Sequence, residues 1–199
     1  VQEFINLDSS EISDNLYLQG NFENHKYFLE YKDDLYKVFT AKNELIDKYN
    51  PLIDRIKNSN SISLHIRRNR FSDQHNLKTN KNILKSNLFV ENIFNYINNS
   101  IDFIESNVSD PEYFIWSNDH IDINSLLSKL KINKYTIVNN NVINDFNLFR
   151  YCKHFIVGPS SFHWWGAWLN NNPNKICIRP SNINPSNNQN FWPDDWISI

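Results

Sequence analysis

A repeated alternation of short apolar runs with longer helix-like segments constrains the fold of this 199-residue chain most strongly. The alternation starts at Ser61 and continues to Pro180. Short runs rich in β-branched and aromatic residues are typical of strands, and apolar residues spaced three or four apart are typical of helices. Strands that alternate with helices favour a parallel sheet with helices on both faces, which is a Rossmann-like α/β fold.

The pattern predicts five strands, at 61–66, 112–117, 135–138, 154–158 and 175–180, with helices at 81–106, 123–130, 144–152 and 160–170. In this interpretation Pro111 ends the first helix, and Ser160 is a good N-cap residue for the last one. Residues 61–199 are therefore predicted to form one Rossmann-like domain. Residues 1–60 show no such repeat and are predicted to be the remnant of another domain, followed by a helical connector.

Composition excludes several classes of protein. The formal net charge is −2 and the lysines are scattered, so the chain lacks the basic stripe of a nucleic-acid-binding protein. No apolar stretch approaches the roughly 20 residues of a transmembrane helix, and no signal peptide is recognisable. Cys152 and Cys177 lie in apolar segments without metal-ligand spacing, as small buried residues of a reducing compartment do. These features favour a cytoplasmic protein, and peripheral contact with the inner membrane stays open.

Three polar clusters follow predicted strands, and parallel strands place their carboxyl ends at one ligand-binding edge. The first cluster contains His65, Arg67 and Arg68. A guanidinium group matches the oxygens of a phosphate bidentately. Because neighbouring strand residues point to opposite faces, one arginine should contact a ligand while the other braces the site. The alternative is a solvated basic strand end, or arginines paired with acids.

The second cluster, Gly158–Phe162, stands between a strand and a helix, where unpaired backbone N–H groups favour phosphate. Its alternative is an ordinary helix cap. The third cluster, Trp116–Asp119, ends in a carboxylate that can accept hydrogen bonds from guanine or from a ribose diol. Its alternative is a turn in which Asp119 caps the next helix. Together the clusters predict a nucleotide diphosphate site, whereas only three glycines and no G-x-G-x-x-G disfavour a dinucleotide.

These stretches resemble the α-1,2-fucosyltransferases of bacteria and animals, which form glycosyltransferase family 11. HIRRNRF is similar to the family's His-x-Arg-Arg-x-Asp motif, and IWSND to its aromatic-Ser-Asp-Asp segment. NDFNLFRYCKHFIVGPSSFHWWGAWLNNNPNKICIRP is the most specific match, and FWPDDWISI matches the usual ending. The resemblance covers roughly residues 15 to 199.

The resemblance implies the C-terminal half of a two-domain GT-B glycosyltransferase, with GDP-fucose held mainly by residues 61–199. Residues 1–60 would then be the remnant of the acceptor-side domain and the connector. The implied reaction is inverting transfer of L-fucose from GDP-fucose to the 2-hydroxyl of a galactose-type acceptor on a glycan. No metal or other cofactor is expected.

The resemblance also implies individual roles. Arg67 matches the arginine that holds the diphosphate and is the one predicted catalytic residue. Asp119 matches the position expected to read guanine. The remaining predicted donor-binding residues are His65 near the nucleotide, Ser160 and Ser161 on the phosphate side, and Phe162 beside them.

Three departures from the family pattern affect the prediction. Arg70 replaces the last Asp of the first motif, and His163 stands where the family has Ser. A glycine-rich N-terminal segment and any methionine are absent, so we expect a fragment whose own activity stays open.

The alternatives are a non-catalytic nucleotide-sugar-binding fragment and an α-1,6- or protein O-fucosyltransferase. Asp73, His75 and His163 remain candidate bases, and the HWWGAW tryptophans are expected to pack in the core.

Overall fold

The computed structural model describes residues 17, 19, 22–40, 48–66, 87–118, 120, 123–181 and 189–199. Helices in these ranges are α1 (Lys32–Val38), α2 (Asn50–Asn58), α3 (Asn87–Asn107), α4 (Ile123–Leu127), α5 (Val142–Phe149) and α6 (Ser161–Leu169). Strands are β1 (Asn60–Ile66), β2 (Pro111–Ser117), β3 (Tyr135–Val138), β4 (His154–Ile156), β5 (Cys177–Arg179) and β6 (Ile197–Ser198). Short 3-10 turns lie at His25–Tyr27, Leu29–Tyr31 and Gln189–Phe191.

The strands form one parallel sheet in the order β3-β2-β1-β4-β5-β6. This is the strand order of the doubly wound Rossmann fold, so the predicted fold class is confirmed. Ile66 of β1 is level with Ser117 of β2, and Leu64 is level with Ile156 of β4. The carboxyl ends of these three strands therefore share one edge of the sheet, as predicted.

The structure corrects some predicted boundaries. Pro111 is the first residue of β2, opposite Asn60, and not the end of the preceding helix. A proline is tolerated at the first position of a strand, because its missing N–H matters least there. β4 ends at Ile156, two residues before the predicted end, and the two-residue β6 was not predicted at all. The boundary between residues 60 and 61 as a domain boundary stays a prediction.

The two faces of the sheet are packed by different kinds of side chain. On the isoleucine face, aliphatic residues of β1 and β2 pack against α3 and α4; its core includes Ile62, Leu64, Ile66, Ile115, Ile93, Ile97, Ile101 and Ile104. On the aromatic face, α2, α5, α6 and the C-terminal segment cover the sheet; its core includes Phe114, Trp116, Phe155, Phe149, Trp164, Trp168, Phe191, Trp192 and Trp196. Helices on both faces were predicted, and the packing confirms them.

Strand β1 contributes a different set of side chains to each face. Its alternate residues Ile62, Leu64 and Ile66 belong to the isoleucine face. The residues between them, Ser61, Ser63 and His65, are buried polar groups whose side chains point toward the other face because successive strand residues alternate. A strand buried on both sides therefore carries polar side chains beneath α6.

Both cysteines are buried and free, as the sequence predicted. Burial raises the pKa of the Cys177 thiol to about 12, and it raises the pKa of the Cys152 thiol well above its usual value. Among the described residues, no helix combines the length and the apolar character needed to cross a membrane.

Candidate functional site

The candidate site lies where the chain reverses its direction of travel across the sheet. From β1 the chain builds β2 and β3 on one side, and it then returns to place β4 on the other side of β1. In open α/β sheets, the crevice at such a switch point is the usual place for a ligand. Backbones approach closely here, since a Cβ atom on Gly158 would lie only 3.0 Å from the His65 carbonyl oxygen.

His65 stands at the end of β1, beneath the first turn of α6. It is 7% exposed. The centroid of its ring lies 6.0 Å from that of Phe162 and 5.5 Å from that of His163. The predicted proximity of His65 to the start of α6 is thus present in the structure.

The start of α6 is organised by backbone hydrogen bonds around Ser160. The Ser160 N–H donates to the Gly158 carbonyl at 2.7 Å, and the Ser160 carbonyl accepts from the Trp164 N–H at 2.9 Å. Ser160 is the N-cap residue, as predicted, but its side chain makes no capping hydrogen bond to the helix. Ser160 is buried, whereas Ser161 is exposed. The first N–H groups of the helix and its positive dipole end therefore lie at the ligand-binding edge.

Phe162 turns toward the aromatic face. Its ring is half-buried, with centroid distances of 5.4 Å to Phe146 and 5.3 Å to Phe149. The structure thus brings four of the predicted donor-binding residues together, namely His65, Ser160, Ser161 and Phe162. The other two, Arg67 and Asp119, lie outside the described residues.

Asp145 is a buried carboxylate that the sequence interpretation did not single out. It lies in the first turn of α5, just beyond the end of β3, and is 8% exposed. Its Oδ1 accepts a hydrogen bond from Asn140 Nδ2 at 3.2 Å. Burial raises the pKa of the Asp145 carboxyl, while Asn140 and the nearby His120 and Trp116 oppose that shift. Asp145 therefore adds a carboxylate to the same edge of the sheet as the Trp116–Asn118 segment.

His163 is fully buried beneath the site. Its Nε2 lies 2.8 Å from Ser63 Oγ, and its ring centroid lies 5.2 Å from that of Phe149. Burial, with a smaller effect from His65, holds the pKa of His163 well below its usual value. A side chain that is 0% exposed offers no surface to an acceptor hydroxyl, which favours packing as the role of His163. Asp73 and His75, the other candidate bases, lie outside the described residues.

The tryptophans of α6 mainly form the core, as predicted. Trp164 and Trp168 are buried, their rings stack at a centroid distance of 5.8 Å, and the Trp164 indole N–H donates to the Phe191 carbonyl at 3.0 Å. Trp165 is only half-buried. This one tryptophan is therefore available at the surface next to the site.

Comparison with known proteins gives a consistent assignment. The family model described as "Glycosyl transferase family 11" matches residues 2–199. The chain is 31% identical over 189 residues to an Escherichia coli protein named "Alpha-1,2-colitosyltransferase", covering 90% of this chain and 61% of that protein. It is 25% identical over 206 residues to the Escherichia coli "O-antigen biosynthesis glycosyltransferase WbnK", covering 99% of this chain and 65% of that protein.

The chain thus spans 61% and 65% of the length of these two relatives. No solved structure matches it significantly. The family resemblance that rested on the HIRRNRF, IWSND and SSFHWW motifs is confirmed by the family match over almost the whole chain.

Proposed function

We propose a donor and a reaction for this chain, which belongs to glycosyl transferase family 11. The reaction is inverting transfer of L-fucose from GDP-fucose to the 2-hydroxyl of a galactose-type acceptor on a glycan. The observation that carries the proposal is the arrangement at the β1–β4 switch point, where His65 and the start of α6 meet. Glycosyltransferase relatives support a nucleotide-sugar donor and a glycan acceptor in general terms.

The diphosphate would bind against the first turn of α6. Its negative charge is matched there by backbone N–H groups and by the positive end of the helix dipole. The exposed Ser161 adds a hydroxyl donor at the first helical position. Arg67 follows Ile66, the last residue of β1, directly in the sequence and would supply the guanidinium that pairs with the phosphate oxygens.

The guanine base would be read by a carboxylate at the carboxyl ends of β2 and β3. A carboxylate accepts two hydrogen bonds, which matches the N1–H and exocyclic amine of guanine. Asp119 is the predicted residue, and Asp145 is a second candidate. Asp145 is supported by its burial and by the Asn140 hydrogen bond that orients its carboxylate.

Transfer develops positive charge on the sugar and negative charge on the departing GDP. Arg67 and the N–H groups at the start of α6 would stabilise that negative charge where it develops. One such preorganised contact is typically worth about 2.7–4 kcal/mol in the transition state. The proposed reaction uses no metal, so activity is expected to persist in excess EDTA.

A second donor is favoured by one specific observation. The relative with 31% identity is named for the transfer of colitose and not of fucose. Nucleotide-activated colitose is therefore the competing donor for the same site. An assay that offers both donors in parallel to one galactose-terminated acceptor separates the two possibilities.

The decisive experiment combines transfer with nucleotide binding. We expect Arg67→Ala to abolish transfer of labelled fucose from GDP-fucose and to weaken GDP binding in calorimetry. Lys131→Ala is the matched control, since Lys131 is an exposed cation that pairs with Asp102 of α3 at 2.6 Å. GDP affinity that is unchanged in the Arg67 variant would refute the assigned role of that arginine.

A further inference from the structure

A pocket of about 330 Å³ lies between residues 22–28 and the start of α6. Phe22, Glu23, Asn24 and Phe28 form one side, and Ser161 and Trp165 of α6 stand opposite them. The pocket thus reaches the exposed serine at which the proposed diphosphate site begins. Its volume is near the lower end of the range for ligand sites, about 300–1,000 Å³, and suits one small ring.

Asn24 lines this pocket and carries a buried amide donor beside it. The residue is 3% exposed, and its Oδ1 accepts a hydrogen bond from the Lys26 N–H at 3.0 Å. Its Nδ2 has no hydrogen-bond partner within the described part of the chain. Buried donors are almost always satisfied, so an unpartnered amide nitrogen on a residue that lines a pocket would gain a partner if a ligand oxygen reached it.

The backbone before Asn24 holds a conformation that is unfavourable for its residue type. Phe22 has a φ of 45°, in the left-handed region that bulky residues avoid. Its carbonyl accepts a hydrogen bond from the Asn24 N–H at 2.8 Å, which closes a tight turn. Strain of this kind persists where the surrounding structure enforces it, and it is concentrated at ligand sites. The turn fixes the direction in which the Asn24 side chain leaves the backbone.

The opposite part of the pocket is aromatic. The Trp165 and Phe28 rings contact each other with a centroid distance of 5.2 Å, and Trp165 is half-buried. Pyranose rings present a face of C–H groups that packs on aromatic carbon, and a rim of hydroxyls that needs polar partners. This pocket offers the aromatic surface next to an amide donor, the Glu23 carboxylate and the Ser161 hydroxyl.

We infer that this pocket binds one pyranose ring of the transfer reaction, with Asn24 Nδ2 donating to a ring hydroxyl and Trp165 supporting the apolar face. The inference rests on the proposed glycosyl transfer and extends it to the sugar side of the site. Two sugars share this chemistry, the galactose-type ring of the acceptor and the transferred ring of the donor. The experiment below distinguishes them.

Asn24→Asp is the sharpest variant. It keeps the Oδ1 atom that accepts from the Lys26 N–H, and it replaces the Nδ2 donor with a charged oxygen that can only accept. Asn99→Asp is the matched control, because it adds the same charge at an exposed position of α3, on the other face of the sheet. Saturation-transfer NMR with methyl β-galactoside and, separately, with L-fucose reports ring binding, and calorimetry with GDP reports the nucleotide site independently.

We expect one of the two sugars to give saturation transfer with the unaltered chain and the Asn99 variant, and to bind about tenfold more weakly to the Asn24 variant. A response to methyl β-galactoside assigns the pocket to the acceptor, and a response to L-fucose assigns it to the transferred ring. If neither sugar binds, or if Asn24→Asp binds as the unaltered chain does, the inference is wrong. If the unaltered chain does not bind GDP at all, the proposed function is contradicted instead.

A buried carboxylate at position 24 could prevent folding, so a second variant is needed. Glu23→Gln keeps the shape of a half-buried side chain and removes its charge. We expect it to weaken binding of the same sugar while GDP affinity stays unchanged. Circular dichroism and thermal melting establish that each variant is folded before binding is compared.

Discussion

The isoleucine face and the aromatic face of the sheet are packed with side chains of different chemistry. The isoleucine face is built from aliphatic side chains of β1, β2 and α3, with Ile101 and Ile104 fully buried at its centre. The aromatic face joins rings from the sheet, α5, α6 and the C-terminal segment into a continuous set of contacts. Both faces exclude water, and the aromatic one supplies the rings that contact His65 at the candidate site.

This difference in packing indicates that the isoleucine side of the sheet serves as a scaffold, while the aromatic side supports ligand binding. Aliphatic side chains pack without direction, whereas indole and imidazole rings also carry polar atoms that need partners. On the aromatic face some of those partners are found inside, as in the Trp164–Phe191 hydrogen bond and the His163–Ser63 contact. A substitution on the aromatic face should therefore change ligand binding at the candidate site, and a substitution on the isoleucine face should not.

The largest expected effect comes from removing a central ring. Phe149 is fully buried and contacts Phe162, His163 and Trp116. We expect Phe149→Ala to lower the free energy of unfolding by about 3–5 kcal/mol and to weaken GDP binding, because two of these rings stand next to His65. Urea unfolding and calorimetry at low temperature measure the two quantities.

Ile104→Ala is the matched change on the isoleucine face. It should lower the free energy of unfolding by about 2–5 kcal/mol and leave GDP affinity unchanged in the folded fraction. The proposed division between the faces fails if both variants lose GDP affinity equally.

A smaller effect is expected from adding a single methyl group. A Cβ atom at Gly166 would come within 3.0 Å of the buried Phe149 ring. Overpacking typically costs about 1–3 kcal/mol, which exceeds the gain of about 1 kcal/mol that alanine brings to a helix interior. Gly166→Ala should therefore lower the unfolding free energy in urea, while Asn99→Ala on the exposed side of α3 leaves it unchanged or slightly higher.

The aromatic face should also be sensitive to pH. The pKa of His163 lies well below 6.5 in the folded state, so the unfolded state binds a proton that the folded state does not as pH falls through about 6.5. Stability is thus complete above that pH and decreases below it, by at most about 1.4 kcal/mol per pH unit for one proton. His163→Gln should flatten this dependence between about pH 6.5 and 5 in urea titrations.

His154→Gln offers the comparison for that experiment. Burial also lowers the pKa of His154, but this ring is only half-buried at the start of β4. We expect His154→Gln to change the slope of the unfolding free energy against pH less than His163→Gln does. An unaltered slope in the His163 variant would show that its ring is protonated or exposed in the folded protein.

The smallest expected effect concerns Tyr96 of α3, whose buried hydroxyl forms hydrogen bonds with the sheet backbone. The Tyr96 hydroxyl lies 2.8 Å from the Val157 carbonyl, just past the end of β4, and 2.9 Å from the Ile178 carbonyl within β5, and its one hydrogen is shared between these two acceptors. Tyr96→Phe should lower the unfolding free energy by about 0.5–1.5 kcal/mol. Tyr135→Phe, at an exposed position of β3, should not change it. A loss above this range would mean that the isoleucine face also depends on an internal polar contact.

The sheet was largely predictable because its strands carry their own signal. Ser61–Ile66 alternates so regularly that the strand and its two buried faces follow from local pattern. The two residues of β6 carry no such signal. They form a strand only because Ile199 donates to the Arg179 carbonyl and Ser181 donates to the Ile199 carbonyl, contacts that the fold creates.

The site was predictable only in part, for a related reason. His65, Ser160 and Ser161 follow strands, and parallel strands necessarily end at one edge. Asp145 sits in an ordinary helical turn of the sequence, and its burial and its proximity to Trp116 appear only in the folded structure. Asn24 is likewise unremarkable among the many asparagines until α6 closes the pocket beside it.

Cys152 and Cys177 allow the rate at which the core opens to be measured directly. Alkylating reagents react only with the nucleophilic thiolate, and burial keeps both sulfur atoms protonated and out of reach while the fold is intact. Each labelling event therefore records a moment at which the core has opened around β4 or β5. The two native thiols are thus probes of local opening, and mass spectrometry can follow their labelling without any engineered residue.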